Sequence, residues 1–363
     1  MKPTLLQKGI QSKLLRWFKK NGRDLPWRKT RDPYAIWVSE IMLQQTQVAT
    51  VVPYFQKFLK TFPTIHQLAK SDLSKVLKTW EGLGYYSRAR NLHGASRILL
   101  NHFRGKVPDT LKDLLSLSGI GRSTAGAILS FAFHKEAPIL DGNAKRILSR
   151  LFAVSGSPEE RKTEQLLWKF SESLIPKGYS NPFNQALMDL GSMICTPKDP
   201  QCPKCPLHDF CKGYGSGKPE KYPVKEPKKK IPHIESATAV IKKGEKVLLN
   251  QRPPEGLLGG LWEFPNCRVG LKQGPRLRLG LINAIKKEMG MDVEVKKFMG
   301  IFYQTYSHFK LTMHIFHCRH LNGKGKGKWV PLKGLRLLPL SKIHRRIADT
   351  IIPKLSPLRE RNQ

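Results

Sequence analysis

The stretch from Leu117 to Arg150, LSGIGRSTAGAILSFAFHKEAPILDGNAKRILSR, constrains the fold most. Leu111, Leu114, Leu115 and Leu117 supply the apolar face of one helix. Gly119-Ile120-Gly121 then predicts a hairpin too tight for side chains at its glycine positions. A second helix starts after Gly121, and its first backbone N–H groups have no intrahelical partner. With the helix dipole positive there, the hairpin can hold an anion such as a DNA phosphate. Asp141-Gly142-Asn143 opens a further helix from Ala144 to Leu151, and Asp141 is of a type that caps a helix start.

A chain of 363 residues is long enough for about two domains, each with its own core. Its 64 Lys and Arg against 27 Asp and Glu give a formal charge of +37. Such a surplus repels itself in a compact fold and attracts polyanions, so nucleic acid is the expected partner, bound in a salt-dependent way. Both halves share the surplus, with 33 basic against 16 acidic residues up to Lys212 and 31 against 11 after it. No apolar run reaches the roughly 18 to 20 residues of a membrane helix, so no membrane partner is expected. The N-terminal segment has apolar residues at helical spacing and lacks a signal-peptide core. Six cysteines in a chain this long do not make a secreted disulfide scaffold, and a cytoplasmic location is expected.

After the first helix, Arg23-Asp24-Leu25-Pro26-Trp27-Arg28 reads as extended, because Pro26 disfavours helix in the residue before it. Asp32-Pro33 predicts a cap and a first helical proline for a helix carrying Tyr34, Ile36, Trp37, Ile41 and Met42. Glu40 lies among them. Trp37, Ile41 and Leu43 beside it would raise a half-buried carboxyl toward the range of a general acid. Gln44 and Gln45 are of a type that can fill a hole in a base stack, and a helix follows from about Val48 to Phe62. Further helices are expected at Leu73 to Trp80, Tyr86 to His102, after Asp109-Thr110, Pro158 to Pro176 and Pro182 to Cys195. Between Trp80 and Arg88 a glycine loop presents aromatic rings beside basic side chains, a composition used for wedges between base pairs.

Cys195, Cys202, Cys205 and Cys211 follow within seventeen residues, a set that can close around a tetrahedral zinc or an iron–sulfur cluster. Residues 213–235 are rich in Gly, Pro and Lys and read as a linker, with Lys228-Lys229-Lys230 able to lie along phosphates. Beyond it the period becomes strand-like. Strands are expected at Ala237 to Ile241, Lys246 to Asn250, Val293 to Tyr303 and Phe309 to Cys318, with helices at Leu279 to Met289 and Ser341 to Ile352. Residues 236–363 thus read as an α+β domain after a nearly all-helical one.

A phosphate-holding hairpin followed by a carboxylate at a helix start resembles the helix-hairpin-helix DNA glycosylases. The cysteine spacing is similar to the [4Fe–4S] loop of the endonuclease III-like members. Over almost its whole length the chain resembles adenine DNA glycosylases of the MutY family. The resemblance is carried by LPWR (Leu25 to Arg28), VSEIMLQQTQV (Val38 to Val48), EGLGYYSRARNLH (Glu81 to His93), LSGIGRSTAGAI (Leu117 to Ile128), ILDGNAKR (Ile139 to Arg146) and FNQALMDLG (Phe183 to Gly191).

The resemblance implies a helical glycosylase domain over 1–212, with a six-helix barrel at about 30–137 and a cluster subdomain from 1–29 and 138–212. It implies a monomer acting on double-stranded DNA with adenine opposite 8-oxoguanine or guanine. Glu40 would be the general acid and Asp141 the carboxylate facing the cationic sugar, with Asn143 orienting Asp141 or the water and Ser123 assisting. Bifunctional relatives carry a nucleophilic Lys where this chain has Ser123, which cannot form a Schiff base, so hydrolysis by water is implied. Arg23, Leu25, Trp27, Arg28 and Gln185 would line the adenine pocket. Gln44, Gln45 and Tyr85 would engage the vacated duplex, and Gly119 and Gly121 the backbone. Cys195, Cys202, Cys205 and Cys211 would hold a structural [4Fe–4S] cluster. Residues 236–363 resemble a Nudix-like domain that reads 8-oxoguanine through Tyr306-Ser307-His308, where the family has Phe-Ser-His. Aligned on Gly290, the metal-binding block of a working Nudix hydrolase keeps only Glu288 of three carboxylates, which implies recognition without nucleotide hydrolysis.

Overall fold

The computed structural model describes residues 3–226, 230–269 and 276–352. The first helix, α1 (Leu5–Asn21), starts at a capping box in which Thr4 accepts from the Gln7 N–H and the Gln7 side chain accepts from the Thr4 N–H. A 3₁₀ turn at Pro26–Arg28 leads to α2 (Pro33–Leu43). Asp32 caps α2 by accepting from the Tyr34 and Ala35 N–H groups, and every residue from Tyr34 to Met42 is buried. Buried on all sides, this helix carries Glu40 into the interior. The chain continues through α3 (Val48–Thr61), α4 (Ile65–Lys70), α5 (Leu73–Thr79), α6 (Ser87–His102) and α7 (Leu111–Leu115). Then come α8 (Arg122–Phe133), α9 (Gly142–Phe152), α10 (Arg161–Leu174), α11 (Ser180–Met193) and α12 (Lys212–Gly215). The expectation of a nearly all-helical first part is borne out, with element ends within a few residues of those read from the sequence. No helix among the described residues is long and apolar enough to cross a membrane.

The chain divides into two compact units, Met1–Lys70 with Asn91–Lys228 and Ser71–Arg90 with Lys229–Gln363. In the first, one core gathers Ile10 and Leu14 of α1, Ile147, Leu148 and Leu151 of α9, and Phe183, Leu187 and Leu190 of α11. A second, smaller core joins Ile36 to Ala127, Phe131 and Ile139. Close packing there depends on Gly126, where a Cβ would lie 2.1 Å from the Pro138 carbonyl oxygen. Backbone cannot move aside as a flexible side chain can, so Gly126→Ala is expected to cost roughly 2–3 kcal/mol, read as a lowered midpoint of thermal unfolding.

Three sequence expectations need correction. Leu111 and Leu115 are exposed, and only Leu114 and Leu117 are buried, because the five-residue α7 is too short to bury a full face. The hairpin is tight at Gly119, where φ is +86° and a Cβ would meet the Asn91 Cβ at 2.9 Å, but not at Gly121. Gly121 has φ −91° and open space where its Cβ would stand. Within the stretch read as a linker, residues up to Tyr222 pack on α9: Arg150 donates to the Tyr222 carbonyl at 2.9 Å, and a Cβ at Gly213 would lie 2.7 Å from the Arg150 carbonyl. Lys228 and Lys229 lie outside the described residues.

The second unit is built on a sheet. Its strands are β1 (His233–Lys243), β2 (Lys246–Gln251), β3 (Trp262–Glu263), β4 (Asn266–Val269), β5 (Asp292–Thr305), β6 (Lys310–Asn322) and β7 (Lys328–Pro331). The order is β3-β2-β1-β6-β5, with β4 on β1 and β7 on β2. β1 and β6 run parallel from His233↔Lys310 to Lys242↔Arg319, and β5 is antiparallel to β6. Strand period sorts β1 between two cores: Ala237, Ala239 and Ile241 face α13 (Arg276–Met289), and Val240 faces α14 (Lys342–Ile351). The segment Ser71–Arg90 packs into this unit. Arg345 of α14 donates to Glu81, and Arg90 donates to the Gly259 carbonyl.

Candidate active site

A cavity of about 590 Å³ opens in the first unit, within the size range of small-ligand sites. Glu40 and Asp141 both line it, so the structure brings together two carboxylates a hundred residues apart in sequence. They differ in what surrounds them. Glu40 comes from the middle of the buried α2, and its carboxyl is pushed up to about 8, first by burial and then by the negative charge of Asp141, with Arg28 acting the other way. Asp141 is the N-cap of α9, as its position predicts. One oxygen accepts from the Ala144 N–H at 2.8 Å and the other from the Asn143 side-chain amide at 3.1 Å. Burial raises its carboxyl, while the bonds from Ala144 and Asn143 and the charge of Arg146 favour the ionised form. Of the pair, Asp141 is therefore the better placed to carry the negative charge, and Glu40 to keep its proton.

Arg146 extends this support. It donates to the Asn143 side-chain oxygen at 2.8 Å, to the Gly191 carbonyl at 2.6 Å and to the Cys195 carbonyl at 2.7 Å. Gly191 packs against Asn143 so closely that a Cβ would come within 2.5 Å of the Asn143 Cβ.

The remaining predicted residues fall into three groups. Arg23, Leu25, Trp27, Arg28, Asn143 and Gln185 line the same cavity. The Trp27 ring meets Phe55 edge-on at 5.5 Å, and the Gln185 amide donates to the Asn181 side-chain oxygen. A second group supports the site from outside the cavity wall. The Ser123 hydroxyl accepts from the Leu140 N–H at 3.2 Å, one residue before Asp141, and Gln44 donates to the Gly119 carbonyl and the Thr124 hydroxyl. Gln45 is exposed and held at φ +57°, a left-handed conformation uncommon outside glycine.

The third group belongs to the second unit. Tyr85 is 44% exposed at φ +46°, with the Arg88 guanidinium 5.3 Å from its ring centre. Tyr306, at the β5–β6 turn, stacks on Phe309 at 4.8 Å and borders a cavity of about 120 Å³, while Ser307 and His308 are exposed. The ring of Tyr306 thus faces its own domain.

Sequence reasoning missed Asp189. Its side chain is fully buried and binds both pocket arginines: Arg23 Nε at 2.7 Å, and Arg28 through two parallel bonds at 2.8 and 2.9 Å. Burial alone would raise this carboxyl, yet the hydrogen bonds and charges of Arg28 and Arg23 carry it below the usual carboxylate range. Arg23 and Arg28 therefore reach the cavity already fixed by a partner. The signal was an aspartate inside the otherwise apolar run ALMDLG.

Cys195, Cys202, Cys205 and Cys211 line one small cavity together with Arg150, which donates to the Cys195 sulfur at 3.3 Å. Among the described residues no three His, Cys, Asp or Glu side chains are arranged to hold a single metal ion. Four thiols around one space, with a guanidinium against one of them, suit a thiolate-bound metal group.

The family described as HhH-GPD superfamily base excision DNA repair protein matches residues 38–173, and the NUDIX domain family matches residues 237–350. An adenine DNA glycosylase of Buchnera aphidicola (from Schizaphis graminum) is 40% identical over 345 residues, 93% of this chain and 96% of that one. The chain belongs to the adenine DNA glycosylase family. The human member is 36% identical over 311 residues, which cover 71% of this chain and 57% of its own length. Among solved structures, a thermostable thymine-DNA glycosylase superposes with TM-score 0.54 at 33% identity, covering 58% of this chain and 97% of that one. An endonuclease III trapped as a covalent intermediate on DNA gives 0.51 at 23% identity, a likeness of fold. As an adenine DNA glycosylase, the chain is an enzyme of base excision repair, with a helical endonuclease III-like part followed by a Nudix domain.

Proposed function

We propose that this adenine DNA glycosylase removes adenine from double-stranded DNA where it is mispaired with 8-oxoguanine or guanine, and that it is monofunctional. The observation that carries the reading is the unequal pair in one cavity, Glu40 raised to about 8 beside a capped and hydrogen-bonded Asp141. Adenine inside a duplex is out of reach, so the nucleotide must rotate out of the stack against an unstacking cost of roughly a few kcal/mol. Gln45 and Tyr85, both exposed and both in left-handed conformations, suit the filling and wedging of the vacated stack.

In the cavity, Arg23 and Arg28, fixed on Asp189, and Gln185 meet the base. Adenine leaves poorly as an anion. Glu40 therefore gives its proton to N7 as the C1′–N9 bond breaks, and the electron pair of that bond goes to the base, which departs neutral. The sugar left behind carries oxocarbenium character, and Asp141 faces it as the carboxylate. Asn143 orients Asp141, and Ser123 fixes the backbone that delivers it. Water then adds at C1′ and surrenders a proton to a carboxylate. The order matches hydrolysis without a covalent lysine, since Ser123 stands where bifunctional relatives carry that lysine.

Cys195, Cys202, Cys205 and Cys211 would hold a [4Fe–4S] cluster, which supplies a rigid centre for its loop. Arg150 and Arg146 tie that loop to α9. Ser307 and His308, exposed on the β5–β6 turn, carry suitable donors and acceptors for the 8-oxoguanine edge. The formal charge of +37 serves phosphate binding in a monomer working in the cytoplasm.

Single-turnover release of adenine opposite 8-oxoguanine, guanine, cytosine and thymine tests the reading. The expected order is 8-oxoguanine, then guanine, then the other two, with no borohydride-trapped adduct as abundant as that of a lyase. Equal rates on all four duplexes, or abundant trapping, would contradict it.

A further inference from the structure

We propose that Arg345 and Arg90 are positioning residues for Tyr85, so that the sheet domain shares in extruding the base by holding the loop between Trp80 and Arg88. The proposal rests on the reading of Tyr85 as the wedge. Gly82 and Gly84 stand at φ +101° and +77°, and Tyr85 at φ +46°. A tyrosine keeps that conformation only where its surroundings over-determine it. Inside the loop, Trp80 Nε1 donates to the Gly84 carbonyl at 3.0 Å, and Arg88 lies over the rings of Trp80 and Tyr85 at 5.4 and 5.3 Å.

The other restraints come from the sheet domain, on both sides of Tyr85. Before it, Glu81 receives Arg345 Nε at 2.8 Å and also pairs with Lys78. Arg345 is itself fixed on the Leu335 and Leu338 carbonyls at 3.0 and 2.8 Å. After it, the Tyr86 hydroxyl donates to the Leu340 carbonyl at 3.4 Å. Arg90 donates to the Gly259 and Gly256 carbonyls at 3.1 and 2.9 Å. Under the loop, a Cβ on Gly260 would come within 3.0 Å of Leu77, so the glycine turn lies directly against α5. Glu81 and Arg345 are 14% and 20% exposed, which places this pair among those weakly screened by salt. Within this one unit, the contacts bracket a single strained tyrosine from Glu81 to Arg90.

A double-mutant cycle in the full-length protein tests this, with single-turnover adenine release as the reading and the unfolding midpoint recorded for every variant. Arg345→Ala is expected to slow release about tenfold, the loss of roughly one charge-assisted hydrogen bond. In a Tyr85→Ala background the same change is expected to add almost nothing, because its effect passes through the ring. Arg90→Ala, a second entry into the same cycle should Arg345→Ala fold poorly, is expected to behave alike. Multiplicative losses in the double variants, or no loss from either arginine, would overturn the positioning role while leaving Tyr85 as the wedge. If Tyr85→Ala alone releases adenine at the full rate, the wedge reading fails and the positioning role falls with it.

Discussion

Glu40→Gln is expected to bind duplex DNA as the native chain does and to release adenine at least about a thousandfold more slowly in a single turnover. Glutamine fills the same space in α2 and has no proton to give to N7. The same substitution should stabilise the fold at neutral and alkaline pH. The Glu40 carboxyl is raised from an ordinary 4.5 to about 8, so between those values the folded chain holds a proton that the unfolded chain has lost. Stability contributed by that proton is fully present below 4.5, falls as pH rises, and is gone above about 8. Glutamine has nothing to lose, so the variant should gain on the order of 3–5 kcal/mol over the native chain above pH 8 and nothing below pH 4.5. Denaturant unfolding at the two ends of that range reads the difference. A residue selected for folding alone would not behave this way; one that stores strain for a reaction would.

Asp141→Asn is expected to reduce adenine release by a comparable factor, about a hundred- to a thousandfold, with little change in duplex affinity. The new side-chain oxygen can still cap α9 at the Ala144 N–H, so the helix start survives. What is lost is the negative charge opposite the sugar. The new amide nitrogen would also face the Asn143 amide, donor against donor. A second consequence separates the pair from two independent groups. Because the charge of Asp141 helps raise Glu40, its removal should move the alkaline fall of the residual rate to lower pH. A residual rate that falls at the same pH as in the native chain would show the two carboxylates to be uncoupled.

Much of the site could be read from local signals. Asp32-Pro33 and Asp141-Gly142 announce helix starts, and the caps form as their chemistry requires. The apolar neighbours of Glu40 foretell its burial, since they wrap α2 on every side. What remained hidden depends on chain segments far apart in sequence. The clamp of Asp189 on Arg23 and Arg28 spans about 160 residues, and neither partner alone betrays it. Ser123 looked like a participant from its place in the hairpin helix. Its hydroxyl accepts from the Leu140 N–H just before Asp141, a contact the sequence did not foretell. The grip of Arg345 on Glu81 joins positions more than 250 residues apart. Short pieces were the other loss: α7 buries only part of its apolar face, and β4 and β7, four residues each, are too brief for a period to show.

The proposed mechanism sets a protonated Glu40 across one cavity from an ionised Asp141. The pH dependence of single-turnover adenine release from an adenine·8-oxoguanine duplex tests this most directly. The rate should hold near neutrality and fall as pH rises through about 8, where Glu40 loses its proton, and Glu40→Gln should show no such fall. A rate that stays level or climbs through that range in the native chain would contradict the assignment.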